Sequence, residues 1–332
     1  MDTIAVVLAG GVGTRLYPAS SRERPKQFLA LDGERSLLAR TVERVEPLAD
    51  ATYVLTRPEY ADLVPDHAPD AEVLVEPAGR DTGPALVYAA HRVREEAGEC
   101  VLLNLPSDHR VGDGFADPAE RALRAARETG KLVTLGVEPD RPATGYGYIK
   151  PGTDRGDYFD VAGFFEKPDA DAAERYVYDG FLWNAGVFAW TPEALLGEAR
   201  RSDLAPLVES LDAGQPERGF RLVEPVSVDY AILEGCSNAA VVPADVEWDD
   251  LGAWDALARV GDPDAAGNVV AGNALTLDAE DCVIATDEGS HVSVVGVEGL
   301  TVAAYDGRVL VVPTEDAQRV REVVARLEDG GE

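Results

Sequence analysis

Residues 8–16 read Leu-Ala-Gly-Gly-Val-Gly-Thr-Arg-Leu, a glycine-rich turn that closes the apolar run at residues 4–9. Glycines at 10, 11 and 13 let backbone N–H groups approach a polyphosphate, and the planar guanidinium of Arg15 offers a fork to phosphate oxygens. The turn lacks the third glycine of a dinucleotide fingerprint and the Gly-Lys-Ser/Thr of a P-loop. Taken alone it is also compatible with a tight strand-to-helix turn carrying a surface arginine. Soon after comes Arg24-Pro25-Lys26-Gln27-Phe28-Leu29, where proline stiffens the chain and Lys26 can be held as a point charge facing the same phosphates. Only four of the 30 basic residues are lysines (Lys26, Lys131, Lys150 and Lys167), so a lysine in this position points to need rather than to surface charge.

Other residues with chemical potential lie further on. Asp108 follows the apolar run at residues 101–105, which would place it at the carboxyl edge of a sheet, where α/β proteins bind ligands. Ser107 and Asp108 would equally suit a helix cap. Glu166 and Lys167 end the run at residues 161–165 before Pro168, and a surface ion pair is the plain alternative for them. Asp250 sits in a turn flanked by Trp248 and Trp254 and says nothing by itself. The four histidines (His67, His91, His109, His291) show no catalytic spacing, and Cys100, Cys236 and Cys282 show neither metal-ligand nor disulfide spacing.

The elements that must position these residues alternate. Strands are expected at residues 4–9, 52–55, 72–75, 101–105 and 132–137, with helices at 36–48, 85–97 and 118–129 between them. This is the pattern of a three-layer, Rossmann-like α/β domain with a mainly parallel sheet and right-handed crossovers. From about residue 268 the texture changes to short β-rich runs at 275–277, 283–285, 292–295, 300–304 and 309–312. These read as a small domain compatible with stacked β-coils although without a strict hexapeptide repeat. Thr314 is positioned to cap a final helix at about residues 315–327, a packing or dimerisation element. The linear division is therefore 1–262 and 267–332.

Sixty-one acidic residues against 30 basic ones leave a net charge of −31, which repels nucleic acid and anionic membranes. There is no apolar run long enough to span a bilayer and no signal peptide, so a cytoplasmic protein is expected.

Once the motifs are read in order, a resemblance emerges. Residues 8–20 followed by Arg-Pro-Lys-Gln-Phe-Leu resemble the signature of the sugar-1-phosphate nucleotidyltransferases, and the Lys-Gln-Phe-Leu ending is similar to the mannose-1-phosphate guanylyltransferases in particular. Glu76-Pro77-Ala78-Gly79-Arg80-Asp81-Thr82-Gly83-Pro84-Ala85 resembles the family's segment near the base. Leu105-Pro106-Ser107-Asp108-His109 resembles its metal-binding strand end, and residues 144–149 (Thr-Gly-Tyr-Gly-Tyr-Ile) its sugar-contacting loop. Phe165-Glu166-Lys167-Pro168, residues 183–188, Ser227-Val228-Asp229-Tyr230-Ala231 and residues 248–254 complete the series. The match spans roughly residues 3–257, with weaker similarity beyond to the small C-terminal domain of short, single-activity members. No fused phosphomannose isomerase is expected. Tyr17, Ala19 and Gly83, where the family often has alanine, are mild departures.

The resemblance implies transfer of GMP from GTP to mannose-1-phosphate with Mg²⁺ as cofactor. It assigns catalysis to Arg15, Lys26 and Asp108, and the metal to Asp108 and Asp250. Nucleotide contacts fall to Leu8, Ala9, Gly10, Gly11, Gly13, Thr14, Glu76, Arg80, Asp81, Thr82, Pro106 and Ser107. Sugar-phosphate contacts fall to Tyr146, Gly147, Glu166, Lys167, Asn184, Ala185 and Asp229. Three alternatives stand beside it: another sugar-1-phosphate and triphosphate pair, such as glucose-1-phosphate with UTP or dTTP; a non-catalytic sugar-nucleotide sensor; and a nicotinamide-dependent oxidoreductase, which the missing glycine fingerprint disfavours. A homodimer through the C-terminal domain is a further expectation. The acidic, lysine-poor composition also predicts a fold adapted to high salt, where counterions screen self-repulsion. Its thermal midpoint should therefore rise with KCl, and equal stability at low and high KCl would remove that expectation.

Overall fold

The structure, a computed structural model, describes residues 1–31 and 33–330. Packing divides the chain into two compact units, neither a single run of sequence. The first comprises Met1–Gly10, Val42–Pro106 and Val111–Trp248; the second comprises Gly11–Thr41, Ser107–Arg110 and the chain from Asp249 onward. This partition cuts the chain differently from the linear division at residues 262–267.

The first unit is built on a nine-stranded sheet. Its strands are β1 (Asp2–Leu8), β2 (Ala51–Thr56), β3 (Glu72–Val75), β4 (Cys100–Pro106), β5 (Leu132–Val137), β6 (Gly147–Asp154), β7 (Phe159–Glu166), β8 (Leu182–Trp190) and β9 (Ala239–Ala244). Their order is β3-β2-β1-β4-β8-β5-β9-β7-β6. The first four strands are parallel, and β1 is an almost fully buried run, Ile4 to Val7 being at most 3% exposed, as expected of a strand covered on both faces. Beyond them the sheet is mixed. β8 runs antiparallel to both β4 and β5, so the parallel character read from the alternating pattern holds for the amino-terminal half. Leu8 lies beside Leu55 and Pro106, which brings the carboxyl ends of β1, β2 and β4 to one edge.

Two helices, α1 (Thr82–Ala97) and α2 (Ala116–Thr129), pack with the sheet. Asp81 caps α1, its carboxylate accepting from Thr82 N at 2.7 Å, and Gly130 ends α2 in the left-handed region at φ 66°. Glycine at position 83 has a packing reason: a Cβ there would stand 2.7 Å from the carbonyl oxygen of Val226, which also accepts from Gly83 N. The core of this unit gathers Trp190, Leu102, Leu86, Phe220 and Leu207, each no more than 1% exposed.

In the second unit, β10 (Val269–Ala271), β12 (Val283–Thr286) and β14 (Leu300–Tyr305) stack in parallel, and β11 (Ala274–Leu277) stacks in parallel on β13 (Val292–Val295). Two parallel ladders of short strands are the geometry of β-coils. β15 (Arg308–Pro313) closes one ladder antiparallel to β14. Thr314 does not cap the final helix. A 3-10 segment, Thr314–Arg319, comes first, and the Thr314 hydroxyl pairs with that of Thr301 at 3.1 Å; the helix proper, α3, is Val320–Gly330. The coils share a core with the glycine-rich turn: Leu16, Leu29, Leu37, Trp254, Val283, Ala303 and Val320 form one buried cluster. Trp254 is fully buried and its indole Nε1 donates to the carbonyl of Tyr17 at 2.9 Å.

Trp254→Ala should accordingly cost roughly 3–5 kcal/mol, the range for deleting a buried large aromatic. Urea unfolding measures this, and a loss under about 1 kcal/mol would show that the site collapses or was loosely packed.

Candidate active site

In the second unit, Gly13, Thr14, Arg15, Lys26, Asp108, His109, Asp250 and Gly252 line one open cavity of about 260 Å³. The cavity depends on Gly13, which takes φ 71° and whose absent Cβ would collide with Cβ of Lys26. The turn is pinned by the Ser20 hydroxyl, which donates to Gly13 O at 2.6 Å, and by Lys26 N, which donates to Val12 O at 3.3 Å. Lys26 is only 3% exposed. Its ammonium donates to Asp108 Oδ2 at 3.0 Å and to the carbonyl of Asp250 at 2.5 Å. Burial alone would raise the Asp108 carboxyl, but Lys26 and then His109 outweigh it and hold the group below its ordinary range. The Asp250 carboxylate accepts from Gly252 N at 3.0 Å.

Arg15 is exposed and donates to Gln318 at 3.2 Å. Gly11 has open space where a Cβ would stand, leaving its backbone accessible. Ser107 is buried and its carbonyl accepts from Thr41 at 3.4 Å. No helix begins after Asp108, the next one starting at Ala116, so helix capping does not account for these two residues. His109, given no role by its sequence spacing, lines this cavity; burial lowers its pKa, which favours the neutral ring. Its position immediately after Asp108 was the signal available.

The first unit carries two further groups of the expected residues. Near the strand ends, Ala9 N donates to Leu55 O and Ala9 O accepts from the Thr56 hydroxyl at 2.9 Å. Leu8 and Pro106 are strand-end residues beside each other, and Gly10 approaches Glu76, its absent Cβ lying 3.2 Å from Oε1. Glu76 is 5% exposed, and burial pushes its carboxyl up to about 7 against the pull of Arg57. The Arg57 contact was not visible in the sequence. Arg80 contributes its carbonyl to Val226 N, while Asp81 and Thr82 hold local structure: Asp81 caps α1 and the Thr82 hydroxyl accepts from Val228 N at 3.0 Å.

The second group surrounds Glu166. Lys167 pairs with it at 2.6 Å and adopts φ 46°; the Glu166 side chain is 7% exposed, so this is not a simple surface ion pair. Gly147 leaves the space this carboxylate fills, since a Cβ there would collide with Glu166 Oε2. Asn184 donates to Asp229 at 2.9 Å and accepts from the Thr134 hydroxyl at 2.9 Å, which fixes its amide orientation. Burial first, and then the Glu166 carboxylate, push Asp229 up to about 7. Tyr146 meets Trp183 and Trp248 edge-on, each at 5.0 Å between centroids. Ala185 is 2% exposed, so its side chain belongs to the core.

The comparisons bear on this geometry. The family model described as Nucleotidyl transferase matches residues 4–266. The chain belongs to the nucleotidyl transferase family. Residues 272–327 of this nucleotidyl transferase match a second model, the MannoseP isomerase/GMP-like beta-helix domain, which agrees with the parallel ladders above. It is 36% identical to the xanthan biosynthesis protein XanB of Xanthomonas campestris, over 99% of this chain and 74% of that protein. It is 35% identical to a mannose-1-phosphate guanylyltransferase of Klebsiella pneumoniae, over 98% of this chain and 74% of the relative. Among solved structures, one described as mannose-1-phosphate geranyltransferase from Thermus thermophilus superposes with TM-score 0.92 at 39% identity, covering 99% of this chain and 100% of that one. Among the described residues of the nucleotidyl transferase, no helix is long and apolar enough to cross a membrane.

Asp229 titrating near 7 rather than near its ordinary 3.8 means that the folded state holds a proton the unfolded chain has released. Stability from this group is therefore present at low pH and lost as pH rises through about 7. Asp229→Asn should gain on the parent protein between pH 5 and pH 8, by up to a few kcal/mol. Urea midpoints at the two pH values measure this; a gap independent of pH would mean that the carboxyl ionises normally.

Proposed function

We propose that this enzyme transfers GMP from GTP to mannose-1-phosphate, releasing pyrophosphate. The observation that carries the reading is the buried Lys26 ammonium, held between Asp108 and the Asp250 carbonyl in a cavity shared with the glycine-rich turn and Arg15. That arrangement supports a phosphate site over a tight turn with incidental charges. An oxygen of the sugar phosphate attacks the α-phosphorus, its new P–O bond replacing the bond to the β-phosphate, whose oxygen leaves with the pyrophosphate electron pair. Both reactants are anions, so the protein's work is to offset their repulsion and hold them in line. Arg15 draws charge from the β- and γ-phosphates, Lys26 steadies the reacting phosphoryl group, and Lys167 positions the acceptor phosphate.

Members of this family generally use a divalent metal, and we assign Mg²⁺ to Asp108 and Asp250. The residues fit that ion. Two carboxylates, those of Asp108 and Asp250, line the cavity beside the glycine-rich turn. Magnesium favours few carboxylates, several waters and phosphate oxygens. When bound, it would neutralise charge on the α-phosphate and the leaving group.

The carboxylates of the first unit support the substrate pair. Glu76 offers a buried acceptor, suited to the N–H edge of guanine, and Glu166, Asp229 and Asn184 offer acceptors and a donor for sugar hydroxyls. Relatives named mannose-1-phosphate guanylyltransferase support the same pair. The three cysteines are free thiols, in keeping with a reducing cytoplasm. We further assign a homodimer contact to the β-coils, where Leu275, Leu277 and Val295 are 57–60% exposed on the paired strands β11 and β13.

Pyrophosphate release across a matrix of triphosphates and sugar-1-phosphates tests the reading, with GTP and mannose-1-phosphate expected to dominate. A different dominant pair corrects the substrates, and silence from folded protein favours a sensor. Lys26→Ala should lower turnover by roughly 10²- to 10³-fold, as for removal of one preorganised charge-stabilising group. Near-parental activity in that variant would refute its role.

A further inference from the structure

Arg57 and Glu76 are the first residues beyond two adjacent parallel strands, β2 and β3, whose last paired residues are Thr56 and Val75. Their side chains meet, with Arg57 Nε 3.7 Å from Glu76 Oε1, too long for a hydrogen bond. Arg57 Nε and Glu76 Oε2 are both sheltered from solvent and neither has a hydrogen-bond partner. Buried polar atoms are rarely left so, because each carries an uncompensated desolvation cost. Two glycines frame the pair. A Cβ on Gly79 would lie 2.6–2.7 Å from the Arg57 guanidinium, and one on Gly10 would lie 3.2 Å from Glu76 Oε1. Backbone therefore approaches both the cation and the carboxylate, and Arg57 keeps 31% of its side chain exposed.

We propose that Arg57 is a specificity-determining residue that donates to O6 and N7 of the guanine, while Glu76 accepts from its N1–H and 2-amino group. This rests on the guanine-nucleotide reading above and deepens it. The chemistry of the edge explains the side-by-side arrangement. Guanine presents two donors next to two acceptors, and an arginine fork matches O6 and N7 as it does in direct base readout. Adenine reverses the order at positions 1 and 6, placing an acceptor toward the carboxylate and a donor toward the guanidinium. Uracil and thymine keep an N–H beside a carbonyl but have no N7 and no 2-amino group. The pair therefore discriminates at both ends of the base, and the bound base would supply partners for a donor and an acceptor that lack them.

The test compares kcat/KM for GTP, 7-deaza-GTP, ATP and UTP, with mannose-1-phosphate, in the parental enzyme, Arg57→Met and Gly79→Ala. Folding is checked by circular dichroism and by an unchanged KM for mannose-1-phosphate. Gly79→Ala is the second probe because its methyl displaces the guanidinium without removing the charge. The parental enzyme should use GTP better than 7-deaza-GTP. Arg57→Met should lose roughly 10- to 100-fold in kcat/KM for GTP, mainly through KM, the span of one bidentate arginine contact. It should then treat GTP and 7-deaza-GTP alike, and Gly79→Ala should show the same loss of N7 sensitivity. A folded Arg57→Met that keeps the parental GTP to 7-deaza-GTP ratio overturns the assignment. A parental enzyme that prefers ATP or UTP overturns the guanine reading itself, and with it this inference.

Discussion

A lysine at 3% exposure is tolerable only where charge and hydrogen-bond acceptors replace the water its ammonium has lost, and the contacts around Lys26 supply both. Asp108 supplies the countercharge and Asp250 a carbonyl, so two segments far apart in sequence are fixed by one nitrogen. The main chain of the same lysine bonds to Val12, and its Cβ occupies the space that a side chain at position 13 would need. The glycine of the turn is thus required by the lysine as well as by any phosphate. The lysine in turn keeps Asp108 ionised against the effect of burial, so a carboxylate stands ready beside the cation.

The first unit solves the opposite problem. Sugar hydroxyls and a guanine edge present hydrogens, and the proposed partners for them in its two groups are largely carboxylates: Glu76 in one, Glu166 and Asp229 in the other. Burial leaves two of these, Glu76 and Asp229, near 7. On the proposed assignment, cations for phosphates and carboxylates for hydroxyls and base divide the substrates by polarity. In a chain of net charge −31, two of the four lysines stand beside carboxylates of the candidate site: Lys26 is buried against Asp108 and Lys167 is paired with Glu166.

Much of this was legible in sequence because it is local. The glycine turn, the Pro25-Lys26 segment, the buried run of β1 and the amphipathic helices each declare themselves within a dozen residues. Residues acting through long-range contacts did not. Arg57 carries no motif of its own, and only the ladder shows its neighbour to be Glu76; His109 was signalled by its place after Asp108 alone, since the four histidines have no catalytic spacing. Asp81 and Thr82 belong to a motif, yet the structure gives each a hydrogen bond of its own: Asp81 caps α1, and the Thr82 hydroxyl accepts from Val228 N, 146 residues further along the chain. Thr314 was misread because its hydroxyl pairs with Thr301, thirteen residues earlier, instead of with the following turn. The antiparallel insertion of β8 between β4 and β5 likewise depends on pairing that an alternating pattern does not encode.

The bond from Trp254 to Tyr17, within a core that runs from Leu16 to Val320, has an evolutionary consequence. A terminal domain joined only by a linker can be exchanged or lost by recombination while the rest of the protein survives. Here the β-coils are interior support for the loop that carries Arg15 and Lys26, so a crossover placed near residue 262 would separate that loop from six of the sixteen buried residues of its own core. Lineages altering this carboxyl-terminal segment would be held to changes on its outer face, and its inward positions should drift only as slowly as the glycine-rich loop they underlie.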